Sequence, residues 1–220
     1  MSSDPSPQLA AIRRRVAAYR SRREPVPGDD PRSQAAVAMI LFGPHDASGP
    51  EVLFIERAQR EGDPWSGQMA FPGGRREPLD PDLATTAARE TLEEVGIELP
   101  QPIGMLDDVS NRSMRQRVPE VALITVTPYV YVLNERPSVV ANHEVASTVW
   151  VPLDWILHTD SSATHRMDAP GFRGNFPAFV YERYKVWGMT YRLLEMLTGL
   201  LELRLPGNQE YPGIELDQRS

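Results

Sequence analysis

The chain has 220 residues, 41% hydrophobic and 24% charged, which is enough apolar material for one large domain with a full core. It has no cysteine, so disulfides, thiolate metal sites and a cysteine nucleophile are excluded, and any metal must bind oxygen or imidazole. The net charge of −7 argues against nucleic acid as the main partner, and no run of about 18 apolar residues marks a membrane span.

The opening MSSDPSPQLAAIRRR lacks an apolar stretch of signal-peptide type, and Asp4 with Pro5 and Pro7 disfavours a transit peptide, so a cytoplasmic protein is expected. Residues 8–23, QLAAIRRRVAAYRSRR, read as an amphipathic helix with Leu9, Ile12, Val16 and Tyr19 at helical spacing and six arginines around them. Such a run is ordinarily a solvated helix packing one stripe on its domain. The functional alternatives are a guide for anionic substrate or a contact with a second copy in a homodimer. EPVPGDDPRS, 24–33, reads as a linker. The expected division is a helix and linker over 1–33, a domain over 34–205 and a tail over 206–220.

AAVAMILF (35–42) and EVLFIER (51–57) read as strands, followed by a loop over 58–68 and a short strand QMAF. A helix is expected over about 82–95. Further strands are expected at 102–107, at 118–133 with an interruption at Pro119 or Pro128, and at 145–151. A short helix at 152–157 and a heavily buried one at about 187–203 complete the pattern. Strands mixed with few helices imply an α/β fold, a mixed sheet sandwiched by helices.

The helical segment DLATTAARETLEEVG, 82–96, is capped by Asp82 and ended by Gly96. On a wheel of about 100° per residue, Glu90, Glu93 and Glu94 fall on one side, and Ala84, Ala88, Thr91, Leu92 and Val95 on the other. Arg89 stands four residues before Glu93 and can pair with it. Like charges at i, i+4 cost roughly 0.2–0.5 kcal/mol, and carboxylates near a helix C-terminus oppose its dipole. A solvated acidic face tolerates this cost. A divalent cation converts it into coordination, since Mg²⁺ takes about six oxygens, commonly carboxylates, waters and phosphates.

Ahead of the helix lies MAFPGGRREP, 69–78. Phe71 suits a buried strand end, Pro72 stops regular pairing, and Gly73 and Gly74 allow close approaches that a Cβ forbids. The local reading is a sharp exit from a strand. FPGG followed by RETLEEVG resembles the Nudix hydrolase signature: Gly, five residues, Glu, seven residues, Arg-Glu, an aliphatic, any residue, Glu-Glu, any residue, Gly, an aliphatic. Gly74 begins it, and Arg89-Glu90, Glu93-Glu94, Gly96 and Ile97 end it. The stretch from Gly to Arg is one residue longer, Asp80 or Glu77 stands in for the first Glu, and Thr91 occupies the aliphatic position.

The resemblance implies a Nudix-type α/β/α sandwich with an added N-terminal helix, and hydrolysis of a diphosphate joined to a further moiety. It implies Glu90 and Glu94 as principal ligands of Mg²⁺ or Mn²⁺, with Glu93 as another ligand or base, and the Gly73 carbonyl beside them. Arg89 would orient the glutamates. Residues 53–74, LFIERAQREGDPWSGQMAFPGG, are similar to the region marking the coenzyme A pyrophosphatase subfamily, through Leu53, Arg57, Ala58, Gly67 and Phe71–Gly74. Asp63 stands where that pattern has its second arginine, with Arg60 nearby as a substitute. Glu144-Val145, Trp150–Leu153 and Trp187–Thr190 resemble the subfamily's C-terminal half. The implied substrate is coenzyme A or its esters, with ADP-ribose, NADH and other nucleoside diphosphate derivatives as alternatives. A non-catalytic binding module and an Arg-helix nucleic-acid binder are the readings from other classes.

Further residues are candidates. Glu144 is an extra ligand or base, or an exposed strand-end carboxylate. Arg57 and Arg60 bind phosphate, Arg57 having a strand-end ion pair as its alternative. Trp65 stacks on a base or closes a loop, and Gly74 lets substrate approach. Arg112, Arg115 and Arg117 fall in an expected loop. The aromatic-rich FRGNFPAFVYERYKVWGMT, 172–190, reads as core packing, with a wall for the substrate's base or acyl-carrier arm as its alternative. The four histidines show no metal spacing.

Overall fold

A computed structural model describes residues 7–23, 33–43, 49–61, 65–117, 122–169 and 172–206. Most of the expected linker, Pro44, the Gly62-Asp63-Pro64 loop centre, Pro119 and the tail from 207 onward lie outside the described residues.

The elements run α1 (Pro7–Ala18), β1 (Gln34–Phe42), β2 (Glu51–Arg57), β3 (Met69–Ala70), β4 (Gly73–Arg75), α2 (Leu83–Val95), β5 (Gly104–Met105), β6 (Val109–Ser110), α3 (Arg112–Arg117), β7 (Thr125–Leu133), β8 (Val145–Pro152), α4 (Leu153–Ile156), β9 (Ser162–Ala169), β10 (Phe172–Tyr181), β11 (Tyr184–Trp187) and α5 (Gly188–Leu200). β1 to β8 form one mixed sheet: β1 pairs parallel with β7 and antiparallel with β2 and β4, and β8 pairs with β2. β1 and β2 read as continuous apolar runs because both of their faces are covered. Their side chains alternate between two cores. Met39, Leu41, Val52 and Phe54 pack with Leu9, Ile12 and Val16 of α1 and Tyr191, Leu194 and Leu197 of α5. Ala38, Ile40, Leu53 and Ile55 pack with Leu83, Ala87 and Val95 of α2. The expected α/β/α sandwich with its N-terminal helix is therefore what the chain builds. No described helix is long and apolar enough to cross a membrane.

The N-terminal helix stops at Ala18, short of the expected Arg23. The chain after it is taken by acceptors elsewhere: Tyr19 Oη and the Arg22 N–H both donate to Asp107 Oδ1 (2.8 and 2.7 Å), and Arg23 Nε donates to the buried Asp108 (3.0 Å). The expected strand at 102–107 is only the short β5, with β6 following it. Residues 112–117 are helical rather than loop. Pro128 does not interrupt β7, where it pairs with Val37.

Two expectations about strands are corrected. At FPGG the chain does not leave the sheet. Near their C-terminal and N-terminal ends respectively, β1 and β2 pair through Leu41 and Val52; away from that point the segment 69–75 fills the space between them. β3 pairs with β2, Pro72 changes partner while its carbonyl accepts from the Ala38 N–H (2.8 Å), and β4 pairs with β1. The second correction lies at 162–187, which forms an unexpected antiparallel sheet in the order β11-β10-β9. Phe179 and Val186 bury into the α5-side core, but much of this sheet stays exposed or half-buried, so it lacks a one-sided hydrophobic pattern.

Candidate active site

The site is built around α2. Asp82 caps the helix by accepting from the Thr85 N–H (2.8 Å), and Gly96, at φ 69°, ends it with its N–H on Leu92 O (3.0 Å). The buried stripe is Leu83, Ala87, Thr91, Glu94 and Val95. The expected wheel is thereby corrected: Leu92 is exposed, and Glu94 lies on the inward face. Thr91 tolerates its buried aliphatic position because its hydroxyl donates to Ala87 O (2.7 Å).

Glu94 is 2% exposed and accepts one hydrogen bond from the corner, from the Gly73 N–H at 2.9 Å. Burial pushes its carboxyl up to about 7. The charges of Glu90 and Glu144 push the same way, while the Gly73 N–H and Arg57 oppose them. Glu90 is also shifted up, first by burial, against the pull of Arg89. Space constrains both glycines of the corner, Gly73 against backbone and Gly74 against the end of a side chain. A Cβ on Gly73, at φ 149°, would sit 2.2 Å from Ala36 O. A Cβ on Gly74 would sit 2.4 Å from the Glu90 carboxyl carbon. Gly74 is thus the floor on which the Glu90 carboxylate rests.

Arg89 is a clip. Its Nε and Nη2 donate to the two oxygens of Asp80 at 3.0 Å each, Nη2 reaches Glu90 (3.1 Å) and Arg75 O (3.2 Å), and Nη1 reaches Glu93 (3.2 Å). Asp80 is buried and also accepts from the Glu77 N–H and the Thr86 hydroxyl. The guanidinium of Arg89 pulls its carboxyl down to about 2. Asp80 therefore stands behind Arg89 and anchors it, rather than joining the carboxylates. Glu93 points outward, its side chain 55% exposed. Among the described residues, no three acidic or imidazole side chains converge into a ready-made metal cage.

Glu144 reaches this place through backbone ties. The Asn142 N–H donates to Glu94 O (2.9 Å), the Asn142 side chain accepts from the Glu144 N–H (2.7 Å), and Glu144 O accepts from the Ala58 N–H (2.8 Å). Asn142 is a site residue that the sequence reading missed; its signal was an Asn two residues ahead of Glu144, just before a strand, an Asx-turn pattern. Arg60 pairs with Glu144 at 2.7 Å. Arg57 ends β2 within electrostatic reach of Glu94. Trp65 lies in the following turn, 37% exposed, and the Ser66 hydroxyl ties that turn to Arg60, accepting from the Arg60 N–H and donating to the Arg60 carbonyl (2.8 Å each). The structure thus gathers Gly73, Gly74, Arg89, Glu90 and Glu94 in one corner, with Glu144, Arg57 and Arg60 on its flank and Glu93 on its outer rim. Every side chain that could bind a cation there offers hard oxygen donors, a set suited to Mg²⁺-like ions and not to soft metals.

The family model described as the NUDIX domain matches residues 32–169. An uncharacterised protein of Schizosaccharomyces pombe is 35% identical over 139 residues, which span 60% of this chain but only 41% of that protein. The mitochondrial coenzyme A diphosphatase NUDT8 of Mus musculus is 32% identical over 174 residues, covering 77% of this chain and 80% of that one. A MutT/nudix family protein from Enterococcus faecalis superposes with a TM-score of 0.48 at 19% identity, covering 74% of this chain and 54% of that one. The family model's span and the extent of the NUDT8 match place this chain in the Nudix family, in the enzyme class of the pyrophosphohydrolases.

Proposed function

We propose that the protein hydrolyses the pyrophosphate bond of a nucleoside-diphosphate-linked substrate with the help of Mg²⁺ or Mn²⁺, and that coenzyme A or its esters are its leading substrates. The observation that carries this reading is the Glu94 carboxylate, buried at the glycine corner and electrostatically coupled to Glu90 and Glu144. A buried carboxylate with acidic neighbours is costly by itself and is stabilised by a cation. Glu90 and Glu94, with Glu93 and the Gly73 carbonyl, would hold that cation. When bound, it would neutralise phosphate charge and lower the pKa of a nearby water.

The chain's own residues supply the rest. Arg89, fixed by Asp80, sets the rotamers of Glu90 and Glu93. Arg57 and Arg60 receive phosphate oxygens as charged donors. Arg60 is paired with Glu144, so a substrate phosphate competes for the arginine and releases the Glu144 carboxylate. Glu144 or Glu93 then accepts the proton of the attacking water. Trp65 offers a flat face to the substrate. The name of the mouse relative supports coenzyme A as the substrate. Cytoplasmic action, and a catalytic unit over 34–205 with a separate tail, belong to the same proposal.

The test is a substrate panel of coenzyme A, ADP-ribose, NADH and dinucleoside polyphosphates with Mg²⁺ or Mn²⁺, run on wild type and Glu94→Gln. Metal-dependent turnover that fails in the variant supports the assignment. Turnover unchanged in the variant removes Glu94 from the site. No turnover of any compound favours a binding module on the Nudix fold.

A further inference from the structure

Arg183, in the two-residue turn between β10 and β11, reaches across to the main sheet. Glu182 beside it sits at φ 53°, a left-handed conformation that ordinarily favours glycine. The Nη1 and Nη2 of Arg183 donate to the two oxygens of Glu56 (3.1 and 2.8 Å), and Nη2 also donates to the Ser147 hydroxyl (3.0 Å). That hydroxyl donates in turn to Glu56 (2.6 Å), and the guanidinium carbon lies 4.3 Å from the centre of the Tyr184 ring. The Glu56 side chain is only 22% exposed. The hydrogen bonds of Arg183 and Ser147 hold its carboxyl below the ordinary range against its burial. A forked, partly buried pair of this kind is more directional than an ordinary surface ion pair.

The grip falls on a particular rung of the sheet. Glu56 and Ser147 stand opposite each other on β2 and β8, and the register breaks directly after them. β8 carries one extra residue there, Ala146, so Arg57 faces Val145. Such a bulge re-aims the side chains beyond it. Beyond it lie Arg57 and Glu144, whose carbonyl accepts from the Ala58 N–H (2.8 Å). β2 also presents its two faces to two environments. Phe54 belongs to the α5-side core and Ile55 to the α2-side core. Glu56 follows Phe54 in meeting the second sheet, whereas Arg57 follows Ile55 and acts on the charge of Glu94. One rung, gripped from behind, is the base on which an arginine of the site stands.

We infer that Arg183 is a positioning residue: by clamping Glu56 and Ser147 on one face of the sheet, it fixes the placement of Arg57 on the other. This rests on the hydrolase reading above, in which Arg57 receives phosphate oxygens, and it adds the second sheet to the parts that serve the reaction. The second sheet acts there through β2.

The test compares wild type, Arg183→Ala, Arg183→Lys, Arg57→Ala and the Arg183→Ala/Arg57→Ala double variant, each as the full chain. The Arg183 side chain is 60% exposed, so its removal should leave the fold intact. Amide hydrogen exchange, followed by NMR without metal or substrate, reads the clamp directly. The Arg57 N–H, which donates to Gln68 O, and the Ala58 N–H should exchange about fivefold faster in Arg183→Ala. Arg183→Lys, which keeps the charge and loses the fork, should fall between that variant and wild type. The Ala38 and Gly73 N–H groups at the glycine corner should keep their rates. On any compound turned over in the panel, Arg183→Ala should raise KM about fivefold at unchanged kcat, and it should add nothing to Arg57→Ala in the double variant. Unchanged exchange at Arg57 and Ala58, a rise shared equally by Ala38 and Gly73, or a KM effect that persists in full beside Arg57→Ala would each overturn the positioning role. Exchange that responds at Arg57 and Ala58 alone, with no compound turned over by wild type, upholds the clamp and overturns the hydrolase reading instead.

Discussion

The glycine corner and the second sheet are opposites in construction. At the corner, each polar group has a partner fixed by a few short bonds: Gly73 to Glu94, Arg89 to Asp80, Asn142 to both Glu94 and Glu144. A side chain at Gly73 would strike the backbone of β1, and one at Gly74 would displace the Glu90 carboxylate. In the second sheet, Arg166 and Lys185 stand on exposed strand positions, and one ion-pair cluster, Glu56 with Arg183 of the β10–β11 turn and Ser147, links it to β2. The contrast teaches that the two regions carry different tolerances: a methyl group at Gly73 meets backbone, whereas the exposed side chains of the second sheet can change without disturbing the fold.

That contrast can be broken by mutation. The largest expected effect is Glu94→Gln, which should lower metal-dependent turnover by about 10²–10⁴-fold while the protein stays folded, checked by kcat beside circular dichroism. Gly74→Ala should follow closely, because its Cβ overlaps the Glu90 carboxylate; an activity loss with an unchanged melting temperature would localise the damage to the site. Gly73→Ala should instead unfold the region, costing about 1–3 kcal/mol for the left-handed φ alone and more for its clash with the Ala36 carbonyl, read by denaturant titration. Arg166→Ala/Lys185→Ala should change stability by less than about 0.5 kcal/mol; a large loss would mean that the second sheet is as tightly built as the corner.

A pH dependence is expected as well. Asp80 has a folded pKa near 2, below its ordinary 3.8, because Arg89 binds its charged form. Its stabilisation is complete above the ordinary value and is lost as pH falls through about 3.8 toward 2. Asp80→Asn should flatten the melting-temperature profile across that window and lower its plateau at neutral pH.

Much of the corner was legible from sequence because its determinants are local. Asp82, Gly96 and the Arg89–Glu93 pairing are helix rules, and the two glycines announce a close approach. The inward turn of Glu94 was not legible, because a wheel drawn on hydrophobicity assigns carboxylates to the solvent side. Only the packing of Ala87 and Thr91 against the sheet rotates the helix by the needed amount. β4 was hidden for a similar reason: Pro-Gly-Gly reads as a stop, and it continues as strand only because β1 and β2 part to admit it. The second sheet escaped because Pro177 and Gly174 interrupt the pattern of its middle strand and much of its surface is exposed or half-buried.

The partner exchange at Pro72 has a consequence for how such an enzyme can diversify. The same few residues serve as a rung for the central strand and as the lip of the reaction chamber, so catalytic geometry is welded to the middle of the molecule. New specificity must then be written at the periphery, in the 65–68 turn and the outlying hairpins, where insertions leave the weld intact.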